Sequence, residues 1–228
     1  MKERPIIFSG ESIRAIRERR KTQTRRAVKP QPPKWKPAEI NGSFTWRDAS
    51  DHFRRNLSIY DCPYGQPGDR LWVRETWRVS PPYDSYRAGE LGPNCRPVWY
   101  AATPNRAREA TDGGRMRPSI HMPRWASRLT LEILKIRVER VQEINVQQHD
   151  EVLREGWPWG KQWPKRPVVA DFAEMWDQIH ANHGFAWDAN PLVWVIEFRA
   201  LSPAENPSID GPPGGILAVQ KLTESRSE

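Results

Sequence analysis

The clearest strand signal in this chain is the segment Pro67-Gly68-Asp69-Arg70-Leu71-Trp72-Val73-Arg74-Glu75-Thr76-Trp77. Because side chains alternate across a strand, Leu71, Val73 and Glu75 are expected on one face. A carboxylate therefore continues an apolar face, where a charge without a partner is costly. The pattern predicts a strand over 70–79 and makes Glu75 a candidate functional residue.

A second segment, Arg20-Lys21-Thr22-Gln23-Thr24-Arg25-Arg26, places an amine and a hydroxyl among arginines. Residues three apart in a regular strand face opposite sides, so Lys21 and Thr24 converge only where the chain bends. A helix is predicted just before the segment, over 11–19, so the helix end and the turn after it would have to bend the segment. Lys21, Thr24 and Glu75 together have the groups of a small hydrolytic site.

The composition favours anionic partners and one main core. The chain has 228 residues, with 36 Lys and Arg against 28 Asp and Glu, a net charge of +8. A basic chain of this size suits nucleic acid or other anionic groups. Two cysteines are too few for a disulfide framework or a zinc site. Without an apolar leader or a membrane-length run, we expect a cytoplasmic protein that does not enter a membrane.

Hydrophobic periodicity predicts more strands than helices. Strands are predicted near 5–8, 44–46, 57–60, 70–79, 98–102, 129–141 and 192–198, and helices near 11–19, 145–155 and 168–181. Ser9 is the expected N-cap of the first helix. The apolar parity changes between Ile133 and Ile136, which predicts a β-bulge there. Strands this close in sequence leave little room for crossover helices, so we expect an α+β fold, a small mixed β-barrel with flanking helices.

Several segments together resemble the ASCH domain of the PUA-like superfamily. They are Ile6-Ile7-Phe8-Ser9-Gly10 and the two segments quoted above. His121-Met122-Pro123-Arg124-Trp125-Ala126-Ser127-Arg128 and Trp187-Asp188-Ala189-Asn190-Pro191 resemble larger members, often encoded in phages and prophages. The resemblance covers about residues 4–200. It implies one PUA-like domain over 1–201, with insertions near 30–60 and 80–120, and we expect a disordered tail over 202–228.

The resemblance also implies an activity. Some small bacterial members are similar to amidohydrolases that remove the acetyl group from N(4)-acetylcytidine, using a lysine, a threonine and a glutamate. Those residues correspond here to Lys21, Thr24 and Glu75. Lys21 is expected to deprotonate Thr24, which attacks the acyl carbon, while Glu75 contacts the pyrimidine and helps protonate the leaving amine. The chemistry requires no metal or cofactor.

Five further residues are candidates for gripping a modified nucleoside or nucleobase. They are Arg26, Arg74, Trp77, Tyr64 and Trp125. Arginines bind phosphates or base carbonyls, and aromatic rings stack on bases. Each candidate also has an ordinary structural explanation. A basic surface accounts for the arginines, core packing for the rings, and an ion pair with an arginine for Glu75.

Two alternative functions fit the same composition. A PUA-like module without chemistry would bind RNA or a modified base, and a ribonuclease would cleave strands with a steep salt dependence. The sequence does not determine which acyl group is preferred, whether the substrate is a free nucleoside or RNA, or what the oligomeric state is.

Overall fold

The computed structural model describes residues 1–31, 35–40, 43–48, 56–57, 59–102, 113–144, 152, 154–156 and 168–205. The chain divides into two compact units. The first comprises Met1–Arg4, Ala15–Leu71 and Leu131–Ala200. The second comprises Pro5–Arg14, Trp72–Thr130 and Leu201–Glu228.

The described residues form two α-helices and ten strands. The helices are α1 (Gly10–Arg17) and α2 (Val168–His180). The strands are β1 (Glu3–Ile7), β2 (Gln23–Ala27), β3 (Trp35–Ile40), β4 (Ser43–Asp48), β5 (Asn56–Leu57), β6 (Arg70–Arg74), β7 (Trp77–Arg78), β8 (Trp99–Tyr100), β9 (Thr130–Arg140) and β10 (Leu192–Ala200). Short 3-10 helices occupy much of the remaining described chain.

The largest sheet has five strands in the order β1-β6-β9-β10-β2. Strand β10 runs antiparallel to both β9 and β2. Strands β1 and β6 are parallel, since Arg70 N–H donates to the Lys2 carbonyl (2.8 Å) and Phe8 N–H to the Arg74 carbonyl (3.4 Å). The remaining sheets are β3-β4-β5 and β7-β8. The predicted α+β class is confirmed, but over the described residues the main sheet is open, with β1 and β2 as edges, and forms no closed barrel.

The predicted bulge in the long strand is confirmed. The register of β9 against β10 shifts from Lys135 opposite Glu197 to Ile133 opposite Phe198. Leu134 is the extra residue, and its side chain is 51% exposed. The bulge therefore lets both Ile133 and Ile136 point into buried space despite their odd spacing.

Both described helices follow the sequence prediction closely. Ser9 caps α1, because its Oγ accepts the Ser12 N–H at 3.2 Å. Helix α2 buries Phe172 and Trp176 in one core cluster of the first unit with Val193 and Val195 of β10. The helix predicted over 145–155 lies mostly outside the described residues. So does the tail from 206 onward, while Pro203–Glu205 forms a 3-10 helix.

The strand predicted over 70–79 is wrong in its extent. Strand β6 ends at Arg74 and β7 begins at Trp77. The Glu75 N–H donates to the Met122 sulfur at 3.3 Å instead of to a neighbouring strand. Trp77 then exchanges backbone hydrogen bonds with Arg117, at 3.1 and 2.8 Å. The break removes Glu75 from the sheet ladder while leaving it 2% exposed.

The loop predicted over 80–95 and the strand over 98–102 also differ from the structure. Three 3-10 helices occupy Pro81–Tyr83, Ala88–Glu90 and Pro93–Cys95. Only Trp99–Tyr100 pairs as a strand, opposite β7. Proline at the first turn of two of these helices fixes their start, which explains the short ordered turns.

Candidate functional site

Lys21 lies in the first unit, where the chain passes from α1 to β2. The Ala15 carbonyl accepts the N–H groups of Arg20 (2.8 Å) and Lys21 (3.1 Å), and Arg19 has a positive φ of 58°. This turn places Lys21 in an isolated antiparallel bridge with Glu155. The chain therefore bends here, but the bend brings Lys21, 6% exposed, to the Glu155 carboxylate and not to Thr24.

Glu155 collects three donors around one buried carboxylate. The Lys21 ammonium donates to the Glu155 carbonyl at 2.5 Å and to Oε2 at 3.1 Å. Oε1 accepts the Gln23 amide at 3.2 Å and Arg25 Nη1 at 2.8 Å. We call Lys21, Gln23, Arg25 and Glu155 the Glu155 cluster. Two cations therefore share the Glu155 carboxylate.

Burial and neighbouring charges shift the pKa values of both Lys21 and Glu155. Burial is the largest influence on Lys21 and lowers its pKa; Glu155 opposes this, and the charges of Arg26 and Arg25 add to it. For Glu155, burial alone would raise the pKa, but the charges of Lys21 and Arg25 outweigh it, so the pKa is lowered. A lysine with a lowered pKa meets one requirement for a general base.

Thr24 alternates with the cluster residues along β2. It lies opposite Ile196 of β10, whereas Gln23 and Arg25 lie opposite Glu197 and Val195. Adjacent strand residues point to opposite faces, so Thr24 faces away from the Gln23 and Arg25 side chains that hold Glu155. Thr24 is buried, at 4% exposure. The structure thus holds the Lys21 ammonium on the cluster side and places Thr24 on the other face of β2.

The ion pairs continue from the Glu155 cluster along the sheet. Arg25 also donates to Glu139 Oε1, at 3.1 Å from Nε and 2.7 Å from Nη2. Arg137 then donates to Glu139 Oε2 at 2.8 Å and to Glu197 at 2.5 Å. The side chains of Arg137 and Glu197 are 25% and 26% exposed, so the network runs from a buried end to a solvated one.

Sequence reasoning missed Glu155, Glu139 and Arg137, because they lie more than 100 positions from Lys21. One local signal accompanies Glu155: the glycine that follows it. Gly156 has a φ of +77°, and a Cβ there would lie 2.5 Å from the Lys21 Cβ. A glycine is therefore required for Lys21 to reach the Glu155 backbone.

Glu75 lies in the second unit and is paired with Arg128. Arg128 Nε donates to Oε1 and Nη2 to Oε2, both at 2.8 Å. The Arg128 guanidinium lies over the Tyr100 ring, 3.9 Å from its centre, and the Tyr100 hydroxyl donates to the Ala126 carbonyl at 2.8 Å. Burial, the largest influence, raises the pKa of Tyr100 to about 12. The structural explanation offered for Glu75, an ion pair with an arginine, is what the structure contains.

Glu75 also lines a cavity of about 340 Å³ within the second unit. Polar lining comes from Glu75, Thr76, Ser9 and Ser119, and apolar lining includes Phe8. The Arg128 pair fixes the orientation of the carboxylate, and each carboxylate oxygen has a further lone pair to accept a hydrogen bond. We call this the Glu75 pocket. A small cavity with a few fixed polar groups is typical of a ligand site.

Three residues of the segment 121–128 form hydrogen bonds with Glu75 or with strand β6. Met122 accepts the Glu75 N–H, and the Ser127 hydroxyl donates to the Val73 carbonyl at 2.8 Å. Arg128 contributes the ion pair itself. The unusual composition of this segment is therefore explained by its contacts with β6 and Glu75.

The predicted aromatic contacts divide between core and partly buried positions. Trp77 is 0% exposed and meets Trp125 edge-on, with ring centres 5.9 Å apart. Trp125 is half-buried, and its indole N–H donates to the Leu91 carbonyl at 3.0 Å. Both rings belong to or pack against the core of the second unit. Tyr64, in the first unit, is half-buried.

The two predicted arginines lie in different units. Arg74, in the second, stacks over Trp72 at 4.6 Å and donates to the Ile120 carbonyl at 3.2 Å. Arg26, in the first, is half-buried. Burial lowers the pKa of Arg26, and the neighbouring Tyr64 and Glu155 oppose that effect. Lys21, Thr24, Arg26 and Tyr64 thus belong to the first unit, and Glu75, Arg74, Trp77 and Trp125 to the second.

Within the part of the chain that the structure describes, no three His, Cys, Asp or Glu side chains form a group suited to a metal ion. Over the same residues, no helix combines the length and apolarity needed to cross a bilayer.

The chain was compared with family models, with curated proteins and with solved structures, and none of the three comparisons gives a match.

Proposed function

We propose that this protein is an ASCH-type, PUA-like protein that binds a modified pyrimidine nucleoside, with the Glu75 pocket as the base site. One observation carries the proposal: Glu75, whose buried carboxylate is fixed by two hydrogen bonds from Arg128, is among the residues that line a cavity of about 340 Å³. An arginine that orients a carboxylate in this way restricts where the carboxylate can accept a further hydrogen bond.

The lining suits a cytosine derivative with an acyl group on N4. Its N4–H is a donor that a carboxylate oxygen of Glu75 accepts. The hydroxyls of Ser9, Thr76 and Ser119 can donate to carbonyl groups of the base and of the acyl chain. Uridine presents an O4 acceptor in place of the N4–H, and a buried carboxylate facing that oxygen is penalised. The pocket should therefore prefer the cytidine derivative to uridine.

Isothermal titration with N(4)-acetylcytidine, cytidine and uridine tests this proposal. Wild type is expected to bind N(4)-acetylcytidine and to bind uridine at least about tenfold more weakly. A Ser119→Phe variant should lose binding because the ring fills the pocket, whereas Ser85→Phe, at an exposed position in the same unit, should bind as wild type does. A folded wild-type protein that binds none of the three nucleosides would refute the base site.

Amide hydrolysis of the same class of nucleoside is the second candidate function. It is favoured by the burial of Lys21 and the lowered pKa that burial produces. Neutral Lys21 accepts the Thr24 hydroxyl proton as Oγ1 bonds to the acyl carbon. The C–N4 bond then breaks as the Lys21 ammonium gives that proton to N4, and water hydrolyses the acyl–Thr24 ester to release the acid and restore the hydroxyl. Because Lys21 is bound to Glu155 and Thr24 lies on the other face of β2, this route requires the ammonium to leave that carboxylate and the chain to bring both side chains to one face.

Loss of the acylated chromophore in an absorbance assay measures this activity. Turnover should disappear in Lys21→Ala and Thr24→Ala. Glu155 raises the pKa of Lys21, so Glu155→Gln should move the midpoint of the acidic limb of the pH–rate profile to lower pH. Binding without turnover in wild type would leave the binding function standing and exclude hydrolysis.

A further inference from the structure

A second cavity in the second unit, of about 550 Å³, is strongly cationic. Arg87, Arg115, Arg117 and His121 line it, together with the 48%-exposed side chain of Met116. Of the described residues that line it, none is acidic. We call it the arginine cleft. Three guanidinium groups around one concave surface attract and concentrate anions.

Two of these arginines are held in place by the same backbone oxygen. The Tyr86 carbonyl accepts Arg115 Nη2 at 3.1 Å and Arg117 Nη1 at 3.0 Å. Arg117 also donates Nη2 to the Tyr83 carbonyl at 2.7 Å. Two positive groups are thus fixed close together by neutral acceptors, which leaves their charges uncompensated by these bonds.

Arg117 is the buried arginine of the arginine cleft. The residue is 4% exposed, and its buried Nε has no hydrogen-bond partner among the described residues. Burial, and then the charge of Arg115, lower the pKa of Arg117. The Arg117 guanidinium lies over the Trp77 ring, 5.7 Å from the ring centre, so packing and the two carbonyl contacts hold this charge in place beside the cleft.

Asp84 and Glu90 accept hydrogen bonds from backbone groups of the turns, and the Asp84 charge also acts on Arg117, where it opposes the lowering of the pKa. Both carboxylate oxygens of Asp84 accept the Arg115 N–H, at 2.8 and 2.9 Å. Glu90 Oε2 accepts the Arg87 N–H at 2.6 Å. These carboxylates stabilise the turns that present the arginines, so they help to build the arginine cleft.

We propose that the arginine cleft binds a nucleotide phosphate, carried either by a free mononucleotide or by an RNA strand. Guanidinium groups match phosphate geometry through paired N–H donors. Met116 gives the same cleft an apolar side against which a sugar or base can pack. This site shares no lining residue with the Glu75 pocket, so its test is independent of the nucleoside proposal.

Fluorescence anisotropy of labelled oligouridylate, with uridine monophosphate as competitor, tests the proposal. Wild type should bind the oligouridylate, and affinity should fall as salt rises from about 50 to about 200 mM. The double variant Arg87→Gln and Arg115→Gln should bind at least about tenfold more weakly. Arg17→Gln, at an exposed arginine near the end of α1 that does not line the cleft, is the matched control.

A second pair of variants keeps every arginine. Met116→Glu adds a negative charge at an exposed position in the cleft and should weaken binding more than the uncharged Met116→Gln does, with the difference between the two variants larger at low salt. Competition by uridine monophosphate would identify a mononucleotide phosphate as sufficient, and resistance to it would identify the RNA backbone as the ligand. Wild type that does not bind, or cleft variants that bind as tightly as wild type, would overturn the proposal.

Discussion

Arg128 and Glu75 face each other through two hydrogen bonds of 2.8 Å, from Nε to Oε1 and from Nη2 to Oε2. Their side chains are 18% and 2% exposed, so the pair is largely shielded from water. The Tyr100 ring packs against the guanidinium from one side. The pair fixes a charged acceptor at the wall of the Glu75 pocket, which is why the nucleoside proposal depends on it.

A double-mutant cycle should show strong coupling between these residues. Arg128→Met leaves the Glu75 carboxylate buried without its partner, so we expect a loss of about 3 kcal/mol of unfolding free energy. Adding Glu75→Gln to Arg128→Met should recover part of that loss, because the uncompensated charge is removed. Urea denaturation of the four proteins measures the coupling.

The exposed pair of Glu18 and Arg20 is the control for that cycle, with side chains 55% and 44% exposed. The corresponding variants should couple by less than about 1 kcal/mol. Equal coupling at the two pairs would mean that burial does not strengthen the Glu75 pair.

Glu155→Gln should destabilise the protein and reduce its sensitivity to acid. At neutral pH we expect a loss of about 3 kcal/mol, because Lys21 and Arg25 lose their shared anion. The pKa of Glu155 is lowered from its ordinary 4.5, so its ionised form stabilises the fold above pH 4.5 and that stabilisation is lost as the pH falls below it. The part of the stability difference that comes from the Glu155 charge should therefore shrink as the pH falls below 4.5.

Unfolding free energies from about pH 7 to pH 3 check this, provided both proteins refold reversibly. A difference that stays constant across the whole range would show that Glu155 does not carry a lowered pKa in the folded state.

Gly156→Ala should be much more damaging than Gly184→Ala. Both glycines have positive φ, +77° and +79°, so both variants acquire strained backbone. Only at Gly156 would the new Cβ collide, at 2.5 Å from the Lys21 Cβ and 2.9 Å from the Ala15 Cβ. We expect a loss of about 1 kcal/mol at Gly184 and about 3 kcal/mol at Gly156. Thermal denaturation of the two variants distinguishes strain alone from strain with a collision.

The parts of the fold that local patterns determine could be predicted from the sequence. The cap at Ser9, the apolar face of α2 and the bulge between Ile133 and Ile136 each depend on residues within a few positions of one another. The break after Arg74 could not be predicted, because Met122 and Arg117, which take the backbone bonds, lie more than 40 positions away.

The contacts of the candidate site were also unpredictable, because they join residues that are far apart in the sequence. Lys21 and Glu75 were identified as unusual, but each partner, Glu155 or Arg128, is remote in sequence. The pattern of Lys21, Thr24 and Glu75 says nothing about which charges pair. The structure shows that Lys21 pairs with Glu155 and Glu75 with Arg128. The proposed site is therefore based on Glu75 and the cavity that it lines, and not on a contact between Lys21 and Thr24.

The most direct test compares the dissociation constant for N(4)-acetylcytidine in wild type, Glu75→Gln and Glu18→Gln by isothermal titration. Glu75→Gln replaces the buried ionised acceptor with an amide of similar size, and Glu18→Gln makes the same change at an exposed position. We predict at least about a tenfold loss of affinity for Glu75→Gln, in a protein whose circular dichroism confirms folding, and none for Glu18→Gln. Equal affinity in all three proteins would contradict the assignment of Glu75 as the base-binding group.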